Sequence, residues 1–392
     1  MPNDALHAHD RALRRGRWWL SAALIFLTLG GCHTAPSNVT TGVTIAAPTA
    51  PTAPTAPAAP AVAPTTTPGR IAVLLPDDAP DSRWATHDRP ALARCLAEAG
   101  APHALYSAGG DGAAQVEQAA EAIGKGAKVL LLAHVDDDAG AAVIDLARRE
   151  GIKVIDYDRL TTQGVGADLY VGFDPFDLGR LMAESLAPFA RALPVARRNV
   201  VVLSGPESSG AAALVGDGIR AVVEPYVSGG QWTLAADEVV GDDAAMTTAR
   251  VAALLGGNAP VGAVFAADDT LAGVVAGAAR QLGLEPVRLS GRGATVEALQ
   301  RILAGEQTLT LYEPAGPLTG AACQAAIAML SGDEVVALTN RFIDNGVEQV
   351  PFIRLAPIVV TEENLFATVV ADGFHSHEAI CAGEYAQYCP EE

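Results

Sequence analysis

From Arg70 onward, short apolar runs alternate with amphipathic segments. The apolar runs predict strands at residues 71–75, 103–106, 129–133, 154–157, 169–171, 200–203, 264–266, 287–289 and 309–312. The segments between them predict helices that include residues 90–99, 113–124, 139–150, 178–192, 210–222, 244–255, 271–282 and 295–304. Continuous Val, Leu and Ile runs are typical of parallel strands buried on both faces, and strand–helix alternation indicates doubly wound sheets. The pattern therefore predicts an α/β fold with two modest sheets, whose ligand lies beyond the carboxyl ends of the strands.

The N-terminus has a different pattern. A charged stretch ends at Arg17, an apolar run covers residues 18–29, and Gly30 and Gly31 precede Cys32. The run is shorter than the roughly 20 residues that a transmembrane helix needs. Residues 1–31 are therefore predicted to be a secretory signal peptide. Residues 29–32 resemble a bacterial lipobox, in which Cys32 is acylated and anchors the protein to a membrane. An ordinary signal peptide or an uncleaved anchor, in which Cys32 is incidental, is the alternative.

Residues 33–69 contain Ala, Pro and Thr in abundance and no Asp, Glu, Lys or Arg. Such a segment cannot bury a core, and its proline content favours extended conformers. We predict that residues 32–69 form a tether between the acylated cysteine and the folded part.

Composition excludes several classes of function. The chain has 392 residues, and its 26 basic and 45 acidic side chains give a net charge of −19, which argues against binding nucleic acid. Dinucleotide, phosphate-loop and nucleophile-elbow motifs are missing. Residues 205–210 follow a strand but lack the phosphate-loop lysine, and Ser208 or Ser209 is better explained as a helix cap than as a nucleophile. His134 follows a strand end, where it either lies at the rim of the ligand site or contacts the ligand.

The remaining four cysteines agree with export. Cys381 and Cys389 close a short loop and are predicted to form a disulfide. A zinc site with His375 and His377 is a weaker alternative, because the ligand spacing is loose. Cys95 and Cys323 lie in Ala-rich helical stretches and are expected to be buried apolar residues.

Eight segments stand out in order along residues 70–380: 82–84 (SRW), 151–160 (GIKVIDYDRL), 172–174 (GFD), 225–227 (PYV), 301–308 (RILAGEQT), 345–347 (NGV), 357–364 (PIVVTEEN) and 372–374 (DGF). In this order they resemble the type I periplasmic sugar-binding proteins, most closely the xylose-binding and multiple-sugar-binding branch. The resemblance implies two Rossmann-like lobes joined by three crossover strands, with the ligand in the cleft between them. On this basis residues 161–289 form mainly the second lobe. Residues 70–160, about 290–312 and the C-terminal region are shared between the lobes through the crossovers, and residues 375–392 form a tail.

The resemblance also implies which residues bind the ligand. Trp84 matches an aromatic residue that stacks on a sugar, and Arg83 beside it matches as well. Asp158 and Arg159 match an Asp-Arg pair that can bond neighbouring hydroxyl groups. A core role for Trp84 and a surface ion pair for Asp158 and Arg159 are the alternatives.

The chain departs from the family at several positions. Asp268, followed by Asp269, stands where the family has Asn followed by Asp, so an amide becomes an acceptor-only carboxylate. Arg292 and Gly293 stand where the family has Gln and a sugar-binding Asp, and Glu313 replaces a Lys or Gln. The family also has a polar stretch, Asn-Asn-Ala-Lys, in its second lobe. This chain has Gly-Ala-Ala-Ala at the corresponding residues 210–213, so Ala213 stands in place of the lysine. Each unpaired polar group costs about 1–3 kcal/mol, so these changes bear directly on sugar affinity.

The expected function is that of a lipid-anchored, monomeric solute-binding protein of an ABC importer, with a sugar or sugar-like ligand and an ABC permease as partner. The expected site contains Arg83, Trp84, Asp158, Arg159, Asp268, Asp269, Arg292 and Glu313. We expect no enzymatic activity, cofactor, metal or nucleic-acid partner. The alternative is a lipoprotein of the same fold with a more charged pocket, which binds a non-sugar ligand or serves a membrane sensor.

Overall fold

A computed structural model describes residues 69–205, 209–241, 243–257, 259–334, 337, 339 and 341–390. The predicted signal peptide, most of the tether and Cys32 lie outside these residues. None of the helices within the described ranges is long and apolar enough to cross a membrane.

The described residues form thirteen strands and ten α-helices, besides short 3₁₀ and π turns. The strands are β1 (Arg70–Leu75), β2 (His103–Ser107), β3 (Ala127–Leu132), β4 (Lys153–Tyr157), β5 (Leu169–Gly172), β6 (Asn199–Ser204), β7 (Thr233–Val239), β8 (Val261–Ala266), β9 (Arg288–Leu289), β10 (Thr310–Tyr312), β11 (Arg341–Asp344), β12 (Gln349–Arg354) and β13 (Ile358–Val360). The helices are α1 (Arg89–Glu98), α2 (Gly112–Gly124), α3 (Asp137–Arg149), α4 (Pro175–Arg191), α5 (Gly210–Ser228), α6 (Ala244–Leu255), α7 (Asp269–Gln281), α8 (Val296–Leu303), α9 (Ala315–Ser331) and α10 (His377–Ile380).

The strands form two main sheets. The first has the order β11-β12-β5-β4-β3-β1-β2 and is parallel except for β11. The second has the order β7-β6-β8-β9 and is parallel throughout, and β10 pairs with β13 in a small antiparallel sheet. This arrangement, with helices packed on parallel sheets, confirms the predicted α/β fold.

The chain passes between the two sheets three times, which defines two lobes. It leaves the first sheet after β5, returns from β10 to α9, and leaves again between β12 and β13. Because β5 pairs with β4, the first lobe extends to residue 172, beyond the boundary expected at residue 161. Helix α4 is the first element that packs on the second lobe.

Burial explains which strands the hydrophobic pattern could predict. In β8 every residue is buried, and in β1 every residue except Arg70. The strands β7 and β11 are mostly exposed and lie at sheet edges, so neither carries a continuous apolar run and neither was predicted. Seven helices that follow strands, α2 to α8, begin at side-chain caps. Asp136, for example, accepts a hydrogen bond from the Ala139 amide at 2.8 Å.

Both C-terminal cysteines are paired as predicted, whereas the expectation for the other two was wrong. Cys381 bonds to Cys389, and Cys95 bonds to Cys323 across 228 residues of sequence. Helices α1 and α9 pack against each other, and this places the two distant cysteines with their Cα atoms 6.4 Å apart. The sequence carries no pairing signal for them because the contact depends on the return of the chain to the first lobe at α9.

Replacing Cys95 and Cys323 together by Ala should lower the free energy of unfolding by about 5 kcal/mol, because the bond closes a long loop in the unfolded chain. The matched control is the double Ala variant of Cys381 and Cys389. Its bond spans 8 residues and should contribute about 3 kcal/mol. Urea unfolding under non-reducing conditions compares them. An equal or smaller loss for the long-range pair would contradict the prediction.

The carboxyl group of Asp156 on β4 is fully buried, and burial raises its pKa to about 7, although hydrogen bonds from Thr161 oppose the shift. The unfolded carboxyl has a pKa of about 4. Between these values only the unfolded state releases the proton, so the stability of the protein should fall as the pH rises from about 4 to about 7.

The free energy of unfolding of the Asp156→Asn variant should therefore exceed that of the natural protein by up to about 4 kcal/mol at pH 8 and by little at pH 4. In the natural protein both the backbone amide and the hydroxyl of Thr161 donate to the Asp156 carboxyl group. The side chain of Asn at position 156 can still accept from the backbone amide through its oxygen, and its NH₂ group can donate to the hydroxyl oxygen. Urea unfolding at both pH values tests this, with the exposed Asp145→Asn as control. The same stability difference at both pH values would contradict the assignment.

Candidate ligand-binding site

Charged side chains gather where the parallel strands of both lobes end. Trp84 and Arg83 follow β1, His134 follows β3, and Asp158 and Arg159 follow β4. From the second lobe and its crossover, three more charged side chains follow β8, β9 and β10 in turn: Asp268, Arg292 and Glu313. These are the positions at which doubly wound sheets bind ligands.

On the side of the first lobe, the guanidinium of Arg83 is held between two carboxylates. Its Nε and Nη2 atoms each lie 3.1 Å from an oxygen of Asp88, and Nη2 lies 3.2 Å from Oδ1 of Asp158. Burial alone would lower the pKa of Arg83, but Asp158 and Asp88 keep it raised. Asp88 is completely buried and also accepts a hydrogen bond from the Tyr157 hydroxyl. This network fixes Arg83 and Asp158 before any ligand arrives.

The indole of Trp84 lies beneath this network. Its residue is 6% exposed, and its ring contacts the ring of Tyr157 edge-on, with centroids 6.2 Å apart. The guanidinium carbons of Arg83 and Arg159 lie 4.7 and 5.3 Å from the indole centroid, within the range of cation–π interactions. Stacking of a sugar on this ring remains a prediction, and it requires a guanidinium group to move aside.

Asp158 adopts a left-handed backbone conformation, with φ of 66°. Its amide donates to the Val171 carbonyl at 2.9 Å, and its own carbonyl accepts from the Tyr170 hydroxyl at 3.0 Å. Asp tolerates this conformation better than most residues, yet it remains strained. Strain of this kind is concentrated at functional sites, and here it turns the side chain toward Arg83.

Arg159 is held by backbone carbonyls rather than by an ion pair with a carboxylate of the described residues. Its Nη1 atom donates to the carbonyls of His134 and Val135 at 2.8 and 3.2 Å, and it takes part in none of the ion pairs among the described residues. Burial lowers its pKa, and the nearby cations Arg83 and Arg292 act in the same direction, whereas the carboxylates of Asp158 and Asp77 oppose the shift. Arg292 belongs to the second lobe, so charged groups on the two sides of the cleft are close enough to influence each other.

On the opposite side, Arg292 forms an ion pair with Glu313, with Nη1 3.2 Å from Oε1. Glu313 raises the pKa of Arg292, and Asp268 and Asp158 add to the effect. The Nε atom of Arg292 is buried and has no hydrogen-bond partner within the described ranges. A ligand oxygen could satisfy this donor, which otherwise costs about 1–3 kcal/mol.

The two adjacent aspartates of the second lobe have different roles. Asp268 caps α7 and accepts from the Leu271 amide at 2.8 Å through Oδ1. Asp269 is buried, and both of its oxygens accept from protein donors, namely Gln307, Thr295 and Thr310 at 2.9–3.1 Å. Asp269 is therefore held by hydrogen bonds within its own lobe, and a ligand contact by Asp269 stays a prediction.

Sequence reasoning missed Asp88 and Tyr157, which hold Arg83 in place. Asp88 lies in a short turn before α1 and Tyr157 ends an apolar strand, so neither position carries a distinctive pattern. The segment Asp158-Arg159 was the one sequence signal for this network. Its partners Arg83 and Asp88 lie far away in sequence and come close only in the fold.

A zinc site at the C-terminus would need the thiolates of Cys381 and Cys389, which form a disulfide instead. His377 Nε2 lies 3.5 Å from Cys381 Sγ, but both sulfur atoms are in the disulfide. His375 instead contacts the Ala294 carbonyl through Nε2 at 3.0 Å.

Comparison with known proteins identifies relatives of this arrangement. Residues 71–334 match a family model described as a periplasmic binding protein domain. The D-xylose-binding periplasmic protein of Haemophilus influenzae is 32% identical over 307 residues, which cover 78% of this chain and 90% of that protein. A multiple sugar-binding periplasmic protein of Azospirillum brasilense is 29% identical, covering 67% of this chain and 78% of that protein.

Solved structures show the same fold. A carbohydrate transporter solute-binding protein from Chloroflexus aurantiacus, solved with D-glucose, has a TM-score of 0.68 and 24% identity, and the match covers 79% of this chain and 97% of that one. The Caulobacter myo-inositol-binding protein, solved with myo-inositol, has a TM-score of 0.63 and 22% identity, with coverage of 80% and 100%. The resemblance seen in the sequence is thus confirmed for family and fold.

His134 provides a direct test of the site's electrostatics. Its residue is 6% exposed, and burial together with Arg159 lowers its pKa to about 4. We expect the ring to stay neutral from pH 8 down to about pH 5. Nuclear magnetic resonance of ¹⁵N-histidine-labelled protein measures this, with His134→Gln to assign the signal. A pKa of 6 or above for His134 would contradict the arrangement described.

Proposed function

Because the chain belongs to the family with a periplasmic binding protein domain, we propose that it is the exported solute-binding component of an ABC importer. It holds a monosaccharide or sugar-like solute between its two lobes and delivers it to a permease. The relatives are named as binding proteins, in agreement with the expectation that the chain is not an enzyme.

The observation that carries the proposal is the mixture of donors and acceptors in the cleft. Asp158 and Arg159 lie on one side, and Arg292, Glu313 and Asp268 on the other. A sugar hydroxyl both donates and accepts, so it is matched by a carboxylate beside a guanidinium. The two structurally similar proteins were solved with D-glucose and myo-inositol, and both ligands carry several hydroxyl groups of this kind.

A second candidate is supported by the charge at the same site. Arg159 has no close carboxylate among the described ion pairs, and the Nε donor of Arg292 lacks a partner there. Gly293 supplies no side chain where the family's aspartate would accept from a sugar. These features favour a charged, sugar-like ligand, and they leave a sensory role open for the same cleft.

The proposal extends to the cell envelope. Acylation of Cys32 would hold the protein at a membrane, and residues 33–69 would keep the folded part away from its surface. We further propose that the protein works as a monomer, because each ligand site is completed by the two lobes of one chain.

Thermal unfolding of the protein without residues 1–32 tests the proposal, with D-xylose, D-glucose and D-galactose at millimolar concentration. A sugar present at about 100 times its dissociation constant stabilises the protein by roughly 2.7 kcal/mol, a shift of several degrees. We expect a shift with at least one of these sugars. A shift with D-glucuronate or D-galacturonate alone would favour the second candidate, and no shift with any of them would contradict the sugar proposal.

Arg159→Met then locates the site. Loss of hydrogen bonds to a charged group costs about 1.5–3 kcal/mol, so calorimetry should show sugar affinity reduced about 10- to 100-fold. Arg149→Met, at an exposed arginine of α3, is the matched control and should bind normally. Equal affinity of the two variants would contradict the assigned site.

A further inference from the structure

A second cavity lies in the second lobe, away from the ligand site. It is lined by the C-terminal end of α4 and by the residues directly before β6 and β7, namely Pro188, Arg191, Ala192, Arg198, Gln231 and Trp232. Because the second sheet is parallel, the amino ends of its strands lie at the edge opposite the carboxyl ends that form the ligand site. The cavity has a volume of about 410 Å³, which is within the range of small-molecule pockets.

The guanidinium of Arg198 is positioned by the end of α4. Its Nε atom donates to the Leu193 carbonyl at 3.0 Å, and its Nη2 atom donates to the Arg191 carbonyl at 3.2 Å. The Arg191 carbonyl belongs to the last turn of α4, where carbonyls lack partners within the helix. One edge of the guanidinium is thus fixed by the protein, and Nη1 keeps its donors for another molecule.

The guanidinium of Arg191 lies over an aromatic pair at the same place. Its Cζ atom is 5.9 Å from the centroid of the Tyr226 ring, which stacks on the Trp232 ring with centroids 4.2 Å apart. Within the described ranges, neither Arg191 nor Arg198 forms an ion pair with a carboxylate. Two guanidinium charges therefore line one cavity without a carboxylate partner in this part of the chain.

Trp232 adds a neutral donor to the wall of the cavity. Its residue is 3% exposed, and its Nε1 atom is buried without a hydrogen-bond partner among the described residues. A buried N–H group without an acceptor is unfavourable, and native proteins rarely leave one. An oxygen atom of a molecule seated in the cavity would supply the missing acceptor.

The sequence around the cavity is basic, although the chain as a whole is acidic. Residues 185–206 contain Arg191, Arg197 and Arg198 and no Asp or Glu, whereas the net charge of the chain is −19. Arg197 pairs with Glu285, which leaves the other two arginines for a ligand. Guanidinium groups bind phosphate oxygens in a bidentate way, and a phosphate monoester carries a charge of about −1.5 to −2 at pH 7. A phosphate group therefore matches the cavity in charge and in its number of acceptor oxygens.

We propose that this cavity is a second binding site, which holds a phosphate group through Arg191, Arg198 and Trp232. The phosphate lies between the two guanidinium groups, and the Trp232 Nε1 atom donates to one of its oxygens. A small phosphate ester and the headgroup of an anionic lipid present this same chemistry. The site lies outside the cleft between the lobes, so the inference does not depend on the proposed function.

Nuclear magnetic resonance of ¹⁵N-tryptophan-labelled protein without residues 1–32 tests the site. Only Trp84 and Trp232 remain in that protein, so its spectrum contains two indole signals, and Trp232→Phe identifies which is which. Addition of glycerol 3-phosphate should shift the Trp232 signal and leave the Trp84 signal in place. Glycerol, which lacks the phosphate group, is the control and should shift neither. A shift of the Trp84 signal alone would place the phosphate in the ligand cleft and would overturn the proposal.

Two arginine variants test the proposed contacts. Arg198→Met and Arg191→Met should each weaken the binding of glycerol 3-phosphate about 10- to 100-fold, because each removes hydrogen bonds to a charged group. The side chain of Arg191 donates no hydrogen bond within the described residues, so Arg191→Met should keep the natural unfolding midpoint even if Arg198→Met does not. Arg250→Met, at an arginine of α6 that bonds to Glu238, is the matched control and should bind normally. Equal affinity of all three variants would overturn the proposal.

Sedimentation with lipid vesicles distinguishes the two sources of phosphate. If the site holds a lipid headgroup, the natural protein should sediment with phosphatidylglycerol vesicles and not with phosphatidylcholine vesicles, and Arg191→Met should stay in solution. A shifted Trp232 signal with glycerol 3-phosphate, without vesicle binding, would identify a soluble ester. An unchanged Trp232 signal together with no vesicle binding would overturn the proposal.

Discussion

Burial of Asp88 beneath the ligand cleft governs the arrangement of the first lobe. A fully buried carboxylate is costly unless donors surround it, and here the fork of Arg83 and the hydroxyl of Tyr157 supply them. With its Nε and Nη2 atoms bound in this way, Arg83 is directed at Asp158, whose left-handed backbone presents the carboxylate to it. The guanidinium groups above Trp84 follow from the same placement. The first-lobe side of the cleft is thus rigid and charged before a ligand binds.

The two sides of the cleft differ in how their charges are compensated. On the first lobe one arginine is bound by two carboxylates, while Arg159 depends on backbone carbonyls. On the second lobe Arg292 and Glu313 pair with each other. Each side therefore leaves a donor for the ligand: the guanidinium of Arg159 on the first lobe and the Nε atom of Arg292 on the second. The lobes also touch directly, because Asp137 accepts from the Gly210 amide at the start of α5.

The sequence predicted the strands with continuous apolar runs and most helices because those patterns follow directly from burial, but it missed β12 and β13, whose burial is interrupted. Edge strands such as β7 were missed because exposure removes the pattern. Resemblance located Asp158 and Arg159, but it also nominated Asp269, whose oxygens are used within the second lobe. The Cys95–Cys323 bond and the Asp137–Gly210 contact join residues far apart in sequence, and only the folded chain brings them together.

A crystal structure of the protein grown with a neutral sugar tests the central claim, that charged groups of both lobes grip one ligand. The account predicts electron density for a sugar ring that hydrogen-bonds to Asp158 and Arg159 on one side and to Arg292 or Glu313 on the other. A sugar bound outside this cleft, or held by residues of one lobe alone, would contradict it.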